Sequence, residues 1–363
     1  MNIRFLDLRV CSEEQEQFIS SMRNMLTHGQ IVRGPEIEEF EHNITQFLGV
    51  SYAVGVSSGS IALSIALQAL NIGPEHEVIV PAMSFVASAN AIAMVGASPI
   101  FADIDDDFSI NIESIKQCIS AKTKAIMVVH YGGKIANIPK ILEIAKQYNL
   151  LVIEDASQAF GARLDNTFSG TFGDIGCFSL NPMKILAAVG EAGVVVTNNQ
   201  EIYQKLIALR YNGMPDKDTC MWIGTNARID TIQAAVLSHR LTTVSELIAK
   251  RQHIARYYRS QFGHLVTCPQ GNTDTDHVYY TFTILTDHRE DLARFLMDNG
   301  IEVKVYHGVI PHQPAYKIWA KGKWENAEKL YKTKLSIPCH EKLTPQEYMY
   351  VAQKVCAFFA ISI

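Results

Sequence analysis

The hydrophobic residues of this chain follow two different patterns. In residues 13 to 28 and 35 to 48 they recur at helical spacing, and Gly34-Pro35 ends the first helix and opens the second. Farther along, apolar β-branched runs hardly alternate with polar residues; these runs are 77–82, 97–104, 124–130, 150–155, 175–180 and 192–198. Runs of that kind are typical of strands buried on both faces.

Helix-length segments lie between most of these runs, at 60–70, 84–95, 111–121 and 138–148. Buried strands that alternate with helices predict a mainly parallel sheet covered on both faces. The sequence therefore indicates an α/β domain that spans roughly residues 15 to 240.

The pattern changes after a long helical stretch at 229–260. A strand, a helix, a second strand and a closing helix are predicted at 277–286, 288–299, 301–307 and 344–358. This order indicates a small α+β domain. We place the boundary so that residues 1–240 form the large domain, with the N-terminal helices, and residues 241–363 form the small one.

Composition narrows the class of partner. The chain has 363 residues, 48% of them hydrophobic and 19% charged, which allows one large core and a smaller second one. Its net charge is -5, and no basic block is interleaved with aromatic residues. Binding to nucleic acid or to an anionic membrane is therefore not expected, and small molecules are the expected partners.

Cysteine usage and the N-terminus bear on location. The seven cysteines are scattered, odd in number and without a C-x-x-C pair, so neither a disulfide framework nor a metal site is expected. The N-terminus has no long apolar segment, and no stretch approaches the ~18 uninterrupted apolar residues of a membrane span. We therefore expect a cytoplasmic protein.

Four stretches fall where parallel α/β sheets form their sites, at the carboxyl ends of strands. In the first, Ser57-Ser58-Gly59-Ser60 precedes an alanine-rich helix, so free N–H groups and the helix dipole favour an anion. Serines that only cap the helix are the alternative.

The second stretch ends a strand in Glu154-Asp155, and Gln158 follows. A buried carboxylate requires a positive partner or hydrogen bonds. Either a protonated ring nitrogen of a ligand is this partner, or the carboxylate caps the N-terminus of a following helix. The third stretch contains Phe85, which either stacks on a flat ligand or belongs to the core.

The fourth stretch carries Ser179 at a strand end and Lys184 beyond it, between Pro182 and an apolar run. Desolvation by apolar neighbours favours the free amine that forms a Schiff base, whereas a lysine that extends to solvent is the alternative. Together the four stretches offer a phosphate cradle, a stacking ring, a carboxylate for a ring nitrogen and an aldehyde-reactive amine. Pyridoxal 5'-phosphate presents the complementary features.

The chain also resembles a known family, the DegT/DnrJ/EryC1/StrS nucleotide-sugar aminotransferases of the fold type I pyridoxal-phosphate enzymes. Eight separated motifs occur in the family's order over nearly the whole chain, among them "RGPEIEEFE", "GVSSGSIALSIAL", "LLVIEDASQAFGA", "GDIGCFSLNPMKILAAVGEAGVVVTNN" and "TNARIDTIQAAVL". The resemblance implies a mainly parallel seven-stranded sheet covered by helices and a small C-terminal α+β domain.

The resemblance assigns roles to individual residues. Lys184 matches the lysine that binds the cofactor aldehyde, and Asp155 matches the partner of the pyridinium nitrogen. The remaining matches are cofactor contacts, with Gln158 at the ring hydroxyl, Phe85 stacked on the ring, and Gly59, Ser60 and Ser179 at the phosphate. Asn226 matches an asparagine that reaches the phosphate from the neighbouring subunit, which implies a homodimer with shared active sites.

The implied activity is that of a transaminase. An amino acid, typically glutamate, gives its nitrogen to the cofactor, and the resulting pyridoxamine 5'-phosphate form passes it to a nucleotide-linked keto-sugar, with Lys184 as the proton carrier. Such sugars serve the biosynthesis of surface polysaccharides or antibiotics. Family members that remove a hydroxyl have histidine at the lysine position, so Lys184 favours amine transfer. Arg228, Asp230 and Gln233 resemble the subgroup that acts at C3.

Departures from the family pattern mark four candidate substrate contacts, Arg33, Asn181, Tyr306 and His307. Arg33 stands where an aliphatic residue is usual, and Asn181 stands where an aromatic is frequent. The family's H-Y-P element appears as Val305-Tyr306-His307, so its usual histidine is missing. A ketocyclitol or a small phosphorylated ketone is therefore an alternative substrate for the same chemistry. A cofactor-binding regulator without turnover is a further alternative, and a dehydrogenase is disfavoured because no G-x-G-x-x-G follows a strand.

Overall fold

The computed structural model of the chain describes residues 1–362, so the last residue of the predicted small domain lies outside the described residues. Its helices are α1 (Ser12–His28), α2 (Pro35–Leu48), α3 (Gly59–Ala69), α4 (Ala87–Met94), α5 (Ile112–Cys118), α6 (Ile138–Tyr148), α7 (Gln200–Arg210), α8 (Thr231–Leu241), α9 (Val244–Phe262), α10 (Arg289–Asp298), α11 (Glu325–Thr333) and α12 (Pro345–Ser362). The two N-terminal helices agree with the sequence prediction to within one residue.

The strands are β1 (Tyr52–Val56), β2 (Glu77–Pro81), β3 (Ser98–Ala102), β4 (Thr123–Val129), β5 (Leu151–Asp155), β6 (Arg163–Leu164), β7 (Thr167–Phe168), β8 (Ile175–Ser179), β9 (Gly193–Thr197), β10 (Phe282–Leu285) and β11 (Lys334–Ile337). Seven of them form one sheet in the order β1-β9-β8-β5-β4-β2-β3. Only β9 runs antiparallel to its neighbours, β8 and β1. The mainly parallel seven-stranded sheet is thus confirmed, and β1 is the strand that the apolar runs did not predict.

Helices cover both faces of this sheet. Along β9, Val194 and Val196 point into one apolar cluster with α2, α6 and α8, whereas Val195 points into a second cluster with α3, α4 and α7. Alternate side chains of a strand project to opposite faces, so the unbroken apolar runs of the sequence reflect burial on both sides.

One predicted helix begins later than expected. The pattern favours a helix from residue 84, but α4 begins at Ala87. Met83 instead pairs in a single bridge with Val309 of the C-terminal part. This contact leaves Phe85 in the loop between β2 and α4.

The C-terminal part differs more from the prediction. Thr242-Thr243 divides the long helical stretch into α8 and α9. The strand predicted at 301–307 is wrong, because β11 is the antiparallel partner of β10 and residues 301–307 retain only single bridges. The strand predicted at 277–286 is shortened to β10, because Tyr279 has a φ of 51°, outside the extended region.

A third apolar cluster joins α9, α10, α12, β10 and β11 in a small α+β unit. Ile254 of α9 belongs to this cluster, whereas Ile248 of the same helix packs in the large domain. Because α9 contributes to both cores, the boundary after residue 240 stays a prediction. Among the described residues, no helix combines the length and the apolar character that a membrane crossing requires.

Candidate active site

Two adjacent carboxylates at the end of β5 have different environments. Glu154 is fully buried and accepts four hydrogen bonds, from His130 Nε2 at 2.8 Å and from the backbone N–H groups of Gly170, Phe172 and Gly173 at 2.7 Å each. The Ala136 N–H donates to His130 Nδ1 at 3.1 Å, so the ring proton is on Nε2. Glu154 is therefore saturated by donors and fixes the loop before β8.

Asp155 has far fewer partners. It is 5% exposed, and its carboxylate accepts from Ser88 Oγ at 2.7 Å and from the Ser157 N–H at 3.2 Å. Among the described residues no cationic side chain pairs with it. Residues 156–162 form turns rather than a helix, so the alternative role as a helix N-cap is wrong. A buried carboxylate without a cation suits the protonated ring nitrogen of a bound cofactor.

The anion cradle lies where α3 starts. Ser58 is the N-cap, and its Oγ accepts from the Ile61 N–H at 3.2 Å. In the part of the chain that the structure describes, the N–H groups of Gly59 and Ser60 donate to no protein acceptor. A Cβ on Gly59 would lie 2.5 Å from Cβ of Ser179, so only glycine allows this approach. The two free N–H groups at the positive end of this helix, together with the nearby Ser179 hydroxyl, suit a phosphate.

Phe85 and Gln158 complete the predicted cofactor wall. Phe85 is 54% exposed, so its alternative interpretation as a core residue is wrong. Its ring centroid lies 5.4 Å from that of His307. Gln158 is buried, and its Oε1 accepts from the Gly132 N–H at 2.7 Å.

Lys184 lies in the turn after β8, next to the strand that ends in Asp155. The sheet register places Asp155 opposite Cys177, two residues before the end of β8. The lysine is half-buried, and its Nζ donates to Tyr280 Oη at 3.4 Å. It lines a cavity of about 640 Å³ between the N-terminal segment and α8–α9. The amine is thus held by an aromatic partner instead of extending freely into solvent, and the other predicted cofactor residues do not line this cavity.

Two of the four candidate substrate residues lie beside the cofactor wall. Burial, together with the positive charges of Lys334 and Lys184, lowers the pKa of His307 to about 4, so its imidazole is neutral at pH 7. Tyr306 lies next to it, with ring centroids 5.4 Å apart, and burial raises the pKa of Tyr306 well above its usual value.

The other two candidates lie elsewhere in the chain. Asn181 Nδ2 donates to Glu191 Oε1 at 2.6 Å in the loop that carries the lysine. Arg33 lies over the ring of Tyr211, with the guanidinium 5.2 Å from the centroid. Asn226 is exposed and accepts from Arg228 Nε at 2.8 Å. The described contacts do not bring Arg33 or Asn226 to Lys184 of the same chain.

Sequence reasoning missed three residues that shape the site. Ser88 orients Asp155, His130 binds Glu154, and Tyr280 contacts Lys184. Ser88 follows Phe85 at the helical spacing of three residues, which is a usable signal. Tyr280 gave no signal because it lies within a segment that was predicted as a strand.

Comparisons with known proteins agree on one family. The sequence profile of the DegT/DnrJ/EryC1/StrS aminotransferase family matches residues 12–356. The chain is 34% identical to a pleiotropic regulatory protein of Geobacillus stearothermophilus over 99% of both chains. It is also 34% identical to the dTDP-3-amino-3,6-dideoxy-alpha-D-galactopyranose transaminase of Aneurinibacillus thermoaerophilus, over 97% of this chain and 98% of the other. The crystal structure of NtdA from Bacillus subtilis with bound cofactor PMP superposes with a TM-score of 0.92 at 30% identity, over 98% of this chain and 85% of the other.

Proposed function

The chain belongs to the DegT/DnrJ/EryC1/StrS aminotransferase family, and we propose that it moves an amino group from an amino acid, glutamate first among the candidates, to C3 of a nucleotide-linked keto-sugar. One observation carries this proposal. Asp155, a buried carboxylate without a cation, ends β5, and Lys184, a half-buried amine, follows the adjacent parallel strand β8, so both lie at the carboxyl ends of neighbouring strands.

The residues of the chain have separate tasks in this reaction. Pyridoxal phosphate, when bound, supplies an aldehyde that carries nitrogen and a ring that withdraws electrons. Asp155 is the group that holds a proton on the ring nitrogen, and the Ser88 hydroxyl keeps its carboxylate oriented. Lys184 Nζ is the amine that binds the aldehyde and moves a proton as general base and acid.

Binding is the task of three further elements. The free N–H groups at the start of α3, together with the Ser179 hydroxyl, are placed to hold the phosphate. Phe85 offers an exposed ring face for stacking beside a neutral His307. The keto-sugar would enter beside Tyr306 and His307, the two candidate substrate residues next to Phe85.

Residues and relatives together support the proposed position of amination. Arg228, Asp230 and Gln233 match the C3 pattern, and the 34% identical transaminase of A. thermoaerophilus is named for a 3-amino sugar. The relative from G. stearothermophilus is named a regulatory protein. A non-catalytic role gives no reason for a half-buried amine and a cation-free carboxylate at the carboxyl ends of adjacent strands, so we favour the enzyme.

We further propose a homodimer with shared active sites. Asn226 is exposed and does not contact its own Lys184, which suits a contact with the partner's cofactor. Ile19, Met22 and Leu26 form one exposed apolar face of α1, at a spacing that a second copy would cover. Analytical ultracentrifugation of the purified protein tests the dimer. The cytoplasmic location stays a prediction.

The substitution Lys184→Ala tests the proposed function. Without the amine, transfer from glutamate to a dTDP-linked 3-keto-sugar should fall by at least about 10³-fold, and added glutamate should no longer bleach the visible absorbance of bound pyridoxal phosphate. Lys205→Ala, which removes a lysine that lies over the ring of Trp222, is the control and should leave both readouts unchanged.

Turnover by the Lys184→Ala variant at the wild-type rate would contradict the proposal. If the wild type bleaches with glutamate but aminates no nucleotide sugar, the substrate assignment is wrong. A screen of ketocyclitols and small phosphorylated ketones would then identify the alternative acceptor.

A further inference from the structure

The segment 277–281 places one side chain against the reactive lysine. Lys184 Nζ lies 4.5 Å from the ring centroid of Tyr280 and 3.4 Å from its Oη. In the described part of the chain this is the only hydrogen bond of the amine, and no carboxylate pairs with it. The contact spans 96 residues of sequence, so it is created by the tertiary fold.

The backbone next to Tyr280 is held in a costly conformation. Tyr279 has a φ of 51°, in the left-handed region that bulky residues avoid. Its ring stacks on His277 with centroids 3.9 Å apart, and its hydroxyl accepts from Arg259 Nη1 at 2.6 Å. Strain of this kind persists only where the surrounding contacts enforce it.

A buried arginine fixes the same turn from behind. Arg251 is 2% exposed, and its Nη1 donates to the carbonyl oxygens of Tyr279 at 3.2 Å and Tyr280 at 3.4 Å. Its Nη2 pairs with Glu341 at 2.7 Å. Because this guanidinium is buried, paired with a carboxylate and hydrogen-bonded to two carbonyl oxygens, it leaves the backbone of the turn little conformational freedom.

The other side of the turn is closed by glycines. The Thr281 N–H donates to the Gly132 carbonyl at 3.2 Å. A Cβ on Gly133, whose φ is 98°, would come within 2.8 Å of the Tyr280 nitrogen. Tyr280 is therefore clamped between Arg251 and the glycine turn, and its ring cannot easily leave the lysine.

Such a tyrosine offers two interactions to an amine. The ring face attracts an ammonium group, and the attraction is stronger where solvent is partly excluded. The hydroxyl accepts a hydrogen bond from Nζ. Both interactions are available only while Lys184 carries no covalently bound group, which is the period in which it moves protons.

We propose that Tyr280, in the turn that Arg251 holds, is a catalytic residue of amino transfer, which keeps the free amine of Lys184 in the site by its ring and hydroxyl. The inference rests on the proposed role of Lys184 as the proton carrier. No bond is made or broken by Tyr280, and the proton stays on Nζ while the hydrogen bond is formed.

The first test uses protein freed of cofactor and reads the lysine directly. Mass spectrometry gives the rate at which acetic anhydride acetylates Lys184 as a function of pH, with the exposed Lys140 as internal reference. The substitution Tyr280→Leu removes the ring that stabilises the ammonium form. The midpoint of the pH profile should therefore move to lower pH by about 0.5 to 1 unit.

Two further variants separate the effect of the Tyr280 ring from that of its hydroxyl and from that of removing any tyrosine. Tyr280→Phe keeps the ring and should leave the midpoint within about 0.3 unit of the wild type. Tyr148→Leu, which removes an exposed tyrosine on α6, should change nothing. Easier access of the reagent would raise the plateau rate without moving the midpoint. An unchanged midpoint in Tyr280→Leu overturns the proposal.

The second test reads the loaded enzyme. The rate at which glutamate bleaches bound pyridoxal phosphate should fall about tenfold in Tyr280→Phe, while the half-saturating glutamate concentration stays within twofold, because the hydroxyl orients the amine and does not bind the donor. An unchanged rate would contradict a catalytic role. Neither test uses a keto-sugar, so failure of the proposed acceptor would leave this inference standing.

Discussion

The two walls of the candidate site are built in opposite ways. The wall from the central sheet ends in Asp155, whose neighbour Glu154 is saturated by four hydrogen-bond donors on an ordinary extended strand. The wall from the C-terminal part contains Tyr279 and His307, non-glycine residues with φ of 51° and 49°. The first wall is fixed by regular pairing, whereas the second is held in strained conformations by long-range contacts.

Buried cations enforce the strained wall. Lys334 is 1% exposed, and its Nζ donates to the carbonyl oxygen of His307 at 2.7 Å. Among the described residues it has no carboxylate partner, and burial lowers its pKa to about 7. Arg251 makes the corresponding contact at Tyr280, because its Nη1 donates to the carbonyl oxygen of that residue. The comparison teaches that the sheet wall depends on buried carboxylates and the strained wall on buried basic side chains.

After the loss of Lys184, the largest effect is expected at the sheet wall, from Asp155→Asn. Asparagine has nearly the same volume and still accepts from Ser88, but it lacks the charge that pairs with a protonated ring nitrogen. The rate of amine transfer should fall by about 10²- to 10³-fold, as expected when a buried charge pair loses one member. Steady-state kinetics with glutamate and the keto-sugar would measure it.

Glu154→Gln is the matched comparison one residue away. Its amide NH₂ would face backbone donors, so the free energy of unfolding should fall by about 2 kcal/mol, while the rate per folded molecule is retained. If Glu154→Gln slowed transfer as strongly as Asp155→Asn, the division of labour between the two carboxylates would be wrong.

A smaller effect is expected at the strained wall, from Lys334→Met. Lysine in the unfolded chain has a pKa of about 10.4, above the folded value of about 7. Between these pH values the unfolded chain therefore binds more protons than the folded chain. The wild-type free energy of unfolding rises by about 2 kcal/mol from pH 7 to pH 9, and this gain is lost when the pH falls back to 7. Urea denaturation at both pH values should show this rise in the wild type and not in the variant.

Lys146→Met on α6 is the control for this measurement, because Lys146 is exposed. Its pH dependence should match that of the wild type. A Lys334→Met variant that kept the full rise would show that another group causes it, and the account of Lys334 as a buried, neutralised cation would be incorrect.

The smallest effect is expected outside both walls, at Arg33. This exposed guanidinium forms no ion pair in the described residues, so it is free to attract the phosphates of a nucleotide sugar. Arg33→Gln should raise KM for the keto-sugar about three- to tenfold and leave kcat within twofold, because the contact is remote from the reacting atoms. Arg294→Gln on α10 is the control. An unchanged KM would remove Arg33 from the substrate site.

The sheet wall could be predicted from the sequence, whereas in the strained wall only Tyr306 and His307 were singled out, as candidate substrate contacts, and their conformation was not predicted. Asp155, Ser179 and Lys184 follow apolar runs, and the position of a residue after a buried strand is visible in the pattern. Residues 301–307 also alternate as a strand would, but β11 occupies the pairing edge of β10. Strand pairing and the positive φ of Tyr279 are set by tertiary contacts, which override local preference.

The same distinction applies to single side chains. The Ser88 to Asp155 contact spans 67 residues and the Lys184 to Tyr280 contact spans 96. Neither spacing leaves a periodic signal in the chain. The family resemblance supplied roles for residues in its motifs, but it gave none for Tyr280 or Lys334.

The position of β1 at the sheet edge has a consequence for the order of folding. Its only partner in the sheet is β9, and Tyr52 pairs with Thr197, so the first strand to leave the ribosome waits for about 140 further residues before it can pair. The start of α3 needs the same event, because Gly59 is packed against Ser179 and Gly193. An N-terminal fragment that stops before residue 193 would therefore lack both the closed sheet edge and the Gly193 packing at the start of α3, so this part of the predicted phosphate site forms late in synthesis.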